Sequence, residues 1–206
     1  MVFITFEGIE GSGKSTQARL LAEALGPAAL LTREPGGTRL GLGVRELLLG
    51  HAHAGMVAPA EVLLFFADRA QHVAEVVRPA LRAGRVVLCD RYVDSSLAYQ
   101  GHGRGLRIDL IRAVFELATG GLLPDLTLLF DLPLEQGLRR VAARGGLDRL
   151  DAEESAFHER VRDGYEVMAA AEPGRFARVD AEGDPAEVAR RVRAVVAERL
   201  GLHVAA

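Results

Sequence analysis

Apolar positions along the chain switch repeatedly between strand-like and helix-like spacing. Phe3 to Phe6 form an apolar, β-rich run that ends at Glu7-Gly8. From Ser15 the apolar positions Ala18, Leu21, Ala22 and Leu25 recur at helical spacing until Gly26-Pro27 stops them. Strand, loop and helix follow in that order. Residues 29–32, 86–89, 126–130 and 176–179 predict four further strands. Between them, residues 60–77 and 108–118 have helical periodicity, and a helix begins at Pro133 and runs to about 143. Asp184-Pro185-Ala186-Glu187 has the form of a capping box with Pro at the first helical position, which launches a helix over 188–200. Strands alternating with helices predict an α/β fold, a doubly wound parallel five-stranded sheet with helices on both faces. Residues 1–206 read as one domain, without internal repeat or linker. Stretches 101–105 and 139–151 are glycine- and arginine-rich and are the expected mobile loops, the second a short lid.

Composition narrows the chemistry. The chain has 206 residues, 49% of them hydrophobic and 26% charged, enough apolar mass for a sizeable core. Its apolar runs are broken well short of the roughly 18 residues a membrane span needs. The N-terminus lacks the basic region and cleavage site of a signal peptide, so a cytoplasmic location is expected. A net charge of -3 gives no global attraction to nucleic acid or anionic membrane, so phosphate binding has to come from local arrangement. The single cysteine, Cys89, excludes an intrachain disulfide and reads as a small buried hydrophobe. The six histidines are scattered, without a third ligand at metal spacing, and invite no catalytic role. Lys14 is the only lysine among 25 basic residues. A GC-rich genome accounts for the arginine bias but not for that exception. A site that admits only a compact cation does.

Gly8-Ile9-Glu10-Gly11-Ser12-Gly13-Lys14-Ser15 fits G-x-x-x-x-G-K-[ST] and lies between a predicted strand and a predicted helix, the context that gives the pattern meaning. Residues Gly8, Ile9, Glu10, Gly11, Ser12, Gly13, Lys14, Ser15 and Thr16 are therefore assigned to a nucleotide's phosphates. Backbone N–H groups converge on the oxygens, Lys14 reaches the β/γ-phosphates, and Ser15 holds Mg²⁺. Asp90, a carboxylate ending the 86–89 strand, has the form of a second metal-side group.

Phe6-Glu7-Gly8 with Lys14-Ser15-Thr16, Thr32-Arg33-Glu34-Pro35-Gly36-Gly37-Thr38, and Asp90-Arg91-Tyr92 leading to Ser95-Ser96-Leu97-Ala98-Tyr99-Gln100-Gly101 resemble the signature segments of bacterial thymidylate kinases, in the same order and spacing. The resemblance continues through Pro124-Asp125-Leu126-Thr127 and Leu147-Asp148-Arg149-Leu150. It implies transfer of the γ-phosphoryl group of MgATP to dTMP, with ATP and Mg²⁺ as donor and cofactor, and a homodimer packed through helices. By the same resemblance Arg91 and Arg45, with Arg33 nearby, hold the acceptor's phosphate, and Glu10 faces the sugar 3′-hydroxyl. Phe65 stacks on the base, Arg69 bonds a ring carbonyl, and Ser95, Ser96 and Gln100 belong to the acceptor site. Tyr99 crowds the sugar's 2′ position. Whether Glu34 binds metal, substrate or backbone stays open.

Some members carry a catalytic arginine in the phosphate loop, but Gly11 and Ser12 are uncharged, so the compensating cations are expected in the lid. Arg144 and Arg149, flanking Gly145-Gly146, are the candidates. The alternative reading is another nucleoside monophosphate or deoxynucleoside kinase of the same fold. A guanine-reading switch is excluded, because its Asn/Thr-Lys-x-Asp segment needs a second lysine. Replacing Lys14 with Ala is expected to lower turnover, read as ADP release, by several powers of ten, each about 1.4 kcal/mol of transition-state stabilisation. Near-normal turnover would show that the loop does not hold the donor's phosphates.

Overall fold

Five short apolar runs become strands: β1 (Val2–Glu7), β2 (Ala29–Arg33), β3 (Val86–Asp90), β4 (Leu126–Asp131) and β5 (Phe176–Asp180). The computed structural model describes residues 1–145 and 147–202, the side chain of Arg144 excepted. All pairings are parallel, in the order β2-β3-β1-β4-β5. The connecting helices are α1 (Lys14–Leu25), α2 (Arg39–Leu49), α3 (Ala58–His72), α4 (Arg78–Arg82), α5 (Val93–Ser96), α6 (Ile108–Thr119), α7 (Leu134–Arg144), α8 (Ser155–Ala171) and α9 (Pro185–Leu200).

The two-residue period of the strands divides the core. Phe3, Val87, Cys89 and Leu129 face one layer, where Phe66 of α3, Phe115 of α6 and Phe157, Val161 and Tyr165 of α8 close over them. Ile4, Phe6, Leu88, Leu128 and Phe130 face the other, against Leu21 of α1 and Val188, Val192 and Val196 of α9. Each such side chain contributes roughly 1.5–3 kcal/mol by leaving water. Because β1 is central, the loop after Glu7 emerges at the carboxyl edge of the sheet. There Phe6 pairs with Asp90 and Arg33 pairs with Asp90 from the other side. The capping box at α9 is formed, with Asp184 accepting from the N–H groups of Ala186 and Glu187.

Three segments differ from expectation. The helix expected over 60–77 starts earlier and continues, through a π-helical turn at Val73–Val77, into α4. The stretch 101–105, expected as a mobile loop, is largely the end of a π-helical segment, Leu97–Gly103, that continues α5. Gly101 and Gly103 serve close packing here: a Cβ on Gly103 would lie 2.6 Å from the Phe157 ring and 3.0 Å from Val161. The second half of the 139–151 stretch is also packed, for Arg149 and Leu150 are buried and Asp148 caps its own turn by accepting from the N–H groups of Leu150 and Asp151. A Cβ at position 103 has nowhere to go, so Gly103→Ala is expected to destabilise the protein by about 1–3 kcal/mol in denaturant unfolding. An unchanged midpoint would mean that α8 does not seat there as described.

Candidate active site

The glycines of the phosphate loop are there for backbone reasons. Gly8 has φ 137°, and a Cβ on it would meet the Phe130 carbonyl at 2.7 Å. Gly11 has φ 72° and abuts Gly137 of α7 so closely that a Cβ would lie 2.3 Å from the Gly137 carbonyl oxygen. α1 then starts at Lys14 without a side-chain cap, so its first N–H groups are available to an anion. Lys14 Nζ donates to the Ile9 carbonyl at 2.6 Å and to Ser12 Oγ at 3.2 Å. Burial, reinforced by Arg91, pulls the Lys14 pKa down to about 7. Phosphate charge beside it would favour the protonated form. Ser15 Oγ donates to Asp90 Oδ2, so the two residues assigned to the metal meet at the start of α1.

Arg91 follows Asp90 with φ 68°, the one non-glycine residue with positive φ among those described. Such a conformation costs on the order of 1–3 kcal/mol and persists where surrounding bonds over-determine it. Its N–H donates to the Phe6 carbonyl at 3.1 Å. Its guanidinium reaches Glu10 Oε1 at 3.0 Å, Ser95 Oγ at 3.0 Å, the Tyr99 hydroxyl at 3.2 Å and the Gly8 carbonyl at 3.3 Å. Burial works to raise the Glu10 pKa, but Arg91, Lys14 and the Tyr99 hydroxyl together bring it below the usual value. Beneath Arg91 lies Glu7, wholly buried, which accepts from the Tyr92 N–H at 2.7 Å, Ser95 Oγ at 2.6 Å and the Tyr165 hydroxyl at 2.8 Å. Burial and the nearby Asp94 raise its pKa to about 7.

A second buried cluster forms the far end. Arg69 donates from Nε to Glu34 Oε2 at 2.7 Å, from one terminal nitrogen to Ser96 Oγ at 3.0 Å and from the other to the Tyr92 carbonyl at 2.9 Å. Glu34 Oε1 lies 2.8 Å from His72 Nδ1. Glu34 thus orients Arg69 and His72, an arrangement the sequence left open. Glu61 of α3, fully buried, accepts from Gln100 at 3.0 Å, from Arg104 at 3.2 Å and from Arg149 at 2.6 Å.

These pieces line one cleft of about 630 Å³. Glu10 through Thr16, Arg33, Glu34, Arg45, Phe65, Arg69, Asp90, Arg91, Ser95, Ser96, Tyr99 and Gln100 all face it. Arg45 also donates to the Pro35 carbonyl at 3.0 Å. Gly8 and Ile9 lie behind it and shape the loop. Arg149 departs from expectation: it is buried, and its guanidinium is spent on Glu61 and on the Leu48 carbonyl, 2.8 Å from Nε. A cation so paired is an anchor for the 147–153 segment and does not reach the phosphate loop. The side chain of Arg144 lies outside the described residues. Arg140, one turn earlier on α7, lines the cleft and donates to the Gly11 carbonyl at 3.3 Å.

Comparison with known proteins agrees with this geometry. The family model described as thymidylate kinase matches residues 6–192. The chain belongs to the thymidylate kinase family. It is 56% identical to a thymidylate kinase of Synechococcus sp. (strain JA-2-3B'a(2-13)), over 99% of this chain and 98% of that one. It is 52% identical to one from Desulfovibrio desulfuricans, over 95% and 94%. The solved thymidylate kinase of Ehrlichia chaffeensis superposes with a TM-score of 0.78 at 36% identity, covering 95% of this chain and 97% of that one. The protein is accordingly a kinase with the phosphate-loop α/β fold.

Sequence reasoning missed the contribution of α8 to this thymidylate kinase fold. Tyr165 bonds Glu7 and Ser95, and His158 lies 3.7 Å from Glu10. The apolar spacing of Phe157, Val161, Tyr165 and Met168 was the available signal. Gly137, which lets α7 meet the phosphate loop, carried none.

Glu7 supplies a pH test. Its folded pKa of about 7 lies above that of a free carboxyl, so the folded state holds a proton that the unfolded chain has already lost. Its stability contribution is present at low pH and is lost as pH rises towards and through 7. Glu7→Gln is expected to gain stability relative to the native protein between pH 5 and pH 8, read from denaturant midpoints. A difference that does not vary with pH would refute the raised pKa.

Proposed function

We propose that the cleft transfers the γ-phosphoryl group of MgATP to dTMP, giving dTDP and ADP, a step in dTTP biosynthesis. One observation carries the reading: the phosphate loop and the arginine- and Phe65-lined far end are two ends of a single cleft, so a triphosphate and a nucleoside monophosphate share one enclosure. Phosphoryl transfer asks a protein to hold two anionic substrates in line and to neutralise the moving charge.

The uncapped start of α1 and Lys14 take the donor's β/γ-phosphates. Arg91 and Arg45, with Arg33 at the rim, take the acceptor's phosphate. Arg91 is already fixed by its bonds to Glu10 and Ser95, so little of its rotamer freedom is lost on binding. Ser15 and Asp90 present a hydroxyl and a carboxylate in mutual contact, a hard-oxygen pair that fits Mg²⁺. Mg²⁺ bound there would neutralise charge on the phosphate oxygens. A cation from α7, Arg140 at the loop, completes the neutralisation, with Arg149 as the anchor that seats the following segment.

At the acceptor end Phe65 stacks on the base. Arg69 retains two of its five N–H groups after its bonds to Glu34, Ser96 and Tyr92, and these address a ring carbonyl. Ser96 and Gln100 meet the remaining edge, and Tyr99 crowds the sugar's 2′ position. Glu10, held by Arg91 and Tyr99, faces the 3′-hydroxyl. The proposal includes a cytoplasmic homodimer. Exposed Leu63 on α3 and Leu110 and Leu117 on α6, two helices that pack together, support a helix-to-helix interface.

ADP release with MgATP is expected to be strongly selective for dTMP over dUMP, dCMP, dAMP, dGMP, UMP, AMP and thymidine. Phe65→Ala should raise the KM for dTMP about tenfold, in line with base–aromatic stacking of ~1–3 kcal/mol, and leave the KM for ATP within about twofold. Preference for another monophosphate would keep the mechanism and refute the base assignment.

A further inference from the structure

We propose that His158 is a positioning residue for the acceptor's sugar, acting through Glu10. It lies on α8, is buried, and packs edge-on against Phe157 with ring centroids 5.5 Å apart. Its Nδ1 is 3.7 Å from Glu10 Oε2. The two oxygens of Glu10 are differently employed. Oε1 accepts from Arg91 and from the Tyr99 hydroxyl, whereas Oε2 is buried and has no hydrogen-bond partner. His158 Nε2 is buried without a partner as well. An unpaired buried polar atom costs about 1–3 kcal/mol, and here two occur on neighbouring side chains, of which Glu10 lines the cleft, where a group not supplied by the protein can meet its carboxylate.

The proposal rests on the reading that Glu10 faces the 3′-hydroxyl of the acceptor. With Oε1 occupied, Oε2 is the atom left to receive that hydroxyl. A carboxylate oxygen accepts more than one hydrogen bond, so Oε2 takes the sugar O–H on one side and an N–H donated by His158 Nδ1 on the other. A separation of 3.7 Å is beyond a hydrogen bond and within a small side-chain adjustment of one. His158 then fixes the plane of the carboxylate, and through it the depth at which the sugar sits relative to the transferred phosphoryl group. No proton moves between these groups.

The test compares kcat/KM for dTMP with kcat/KM for its 3′-deoxy analogue, a ratio independent of how much of each preparation is folded. Glu10→Gln is the control and should lower the ratio. His158→Phe is expected to lower it about tenfold. His158→Asn, with an amide nitrogen near the Nδ1 position, should preserve the ratio, and His158→Gln, with its amide near Nε2, should lose it. If Glu10→Gln lowers the ratio and His158→Phe leaves it within twofold of native, the role of His158 is overturned. If Glu10→Gln leaves the ratio unchanged, the reading of Glu10 fails, and the inference with it. Should His158→Phe not yield soluble enzyme, the Asn and Gln pair decides: equal ratios in the two would overturn the proposal.

Discussion

Arg91 is the residue on which the rest of the site depends. Its backbone is held in a conformation that L residues avoid, and the strain is balanced by bonds to the phosphate loop, to β1, to α5 and to the segment after it. A half-buried guanidinium without partners would be costly, so each of those acceptors is fixed in turn. Glu10 is held against Arg91 and Tyr99, and Ser95 against Glu7. This one side chain therefore bridges the phosphate loop and the 95–99 segment of the acceptor end.

The same logic repeats at the far end with the charges exchanged. Glu61, fully buried, gathers Gln100 and Arg104 from one segment and Arg149 from another. Glu34 gathers Arg69 and His72. Despite burial, the hydrogen bonds from Gln100, Arg104 and Arg149 hold the Glu61 carboxyl below its usual pKa, and Arg69 and Gln100 are presented to the cleft with few rotamers left to lose. Breaking one member leaves its partner charged and dry, which is far more costly than the pair itself is stabilising. The segment that follows α7 is thereby tied through Glu61 to Gln100, one of the residues assigned to the base.

Most of the fold was legible because its elements carry local signals. The five strands are short β-rich runs, the phosphate loop is a contiguous pattern, and the cap at Asp184 follows from four adjacent residues. The helix α8 was not read, although its apolar spacing was present, and with it went Tyr165 and His158. The stretch 101–105 was read as a loop because its glycines look like turn residues. In the fold Gly101 and Gly103 are instead the flat places against which Ile108 and Phe157 pack.

The site divides along the same line. Sequence by itself determined the phosphate-loop pattern of Gly8 to Ser15, the single lysine within it, and most of the residues that face the cleft, since contiguous motifs bring their own geometry. Only the tertiary structure decided how the charges are partnered. Arg149 is the better candidate cation on paper and Arg140 the lesser; burial beside Glu61 makes the first an anchor, and the contact with Gly11 brings the second to the phosphate loop. Glu34, Glu61 and His158 likewise acquire their roles from partners 30 or more positions away, and the energy of a buried charge depends on what lies next to it in space, a quantity that no local pattern encodes.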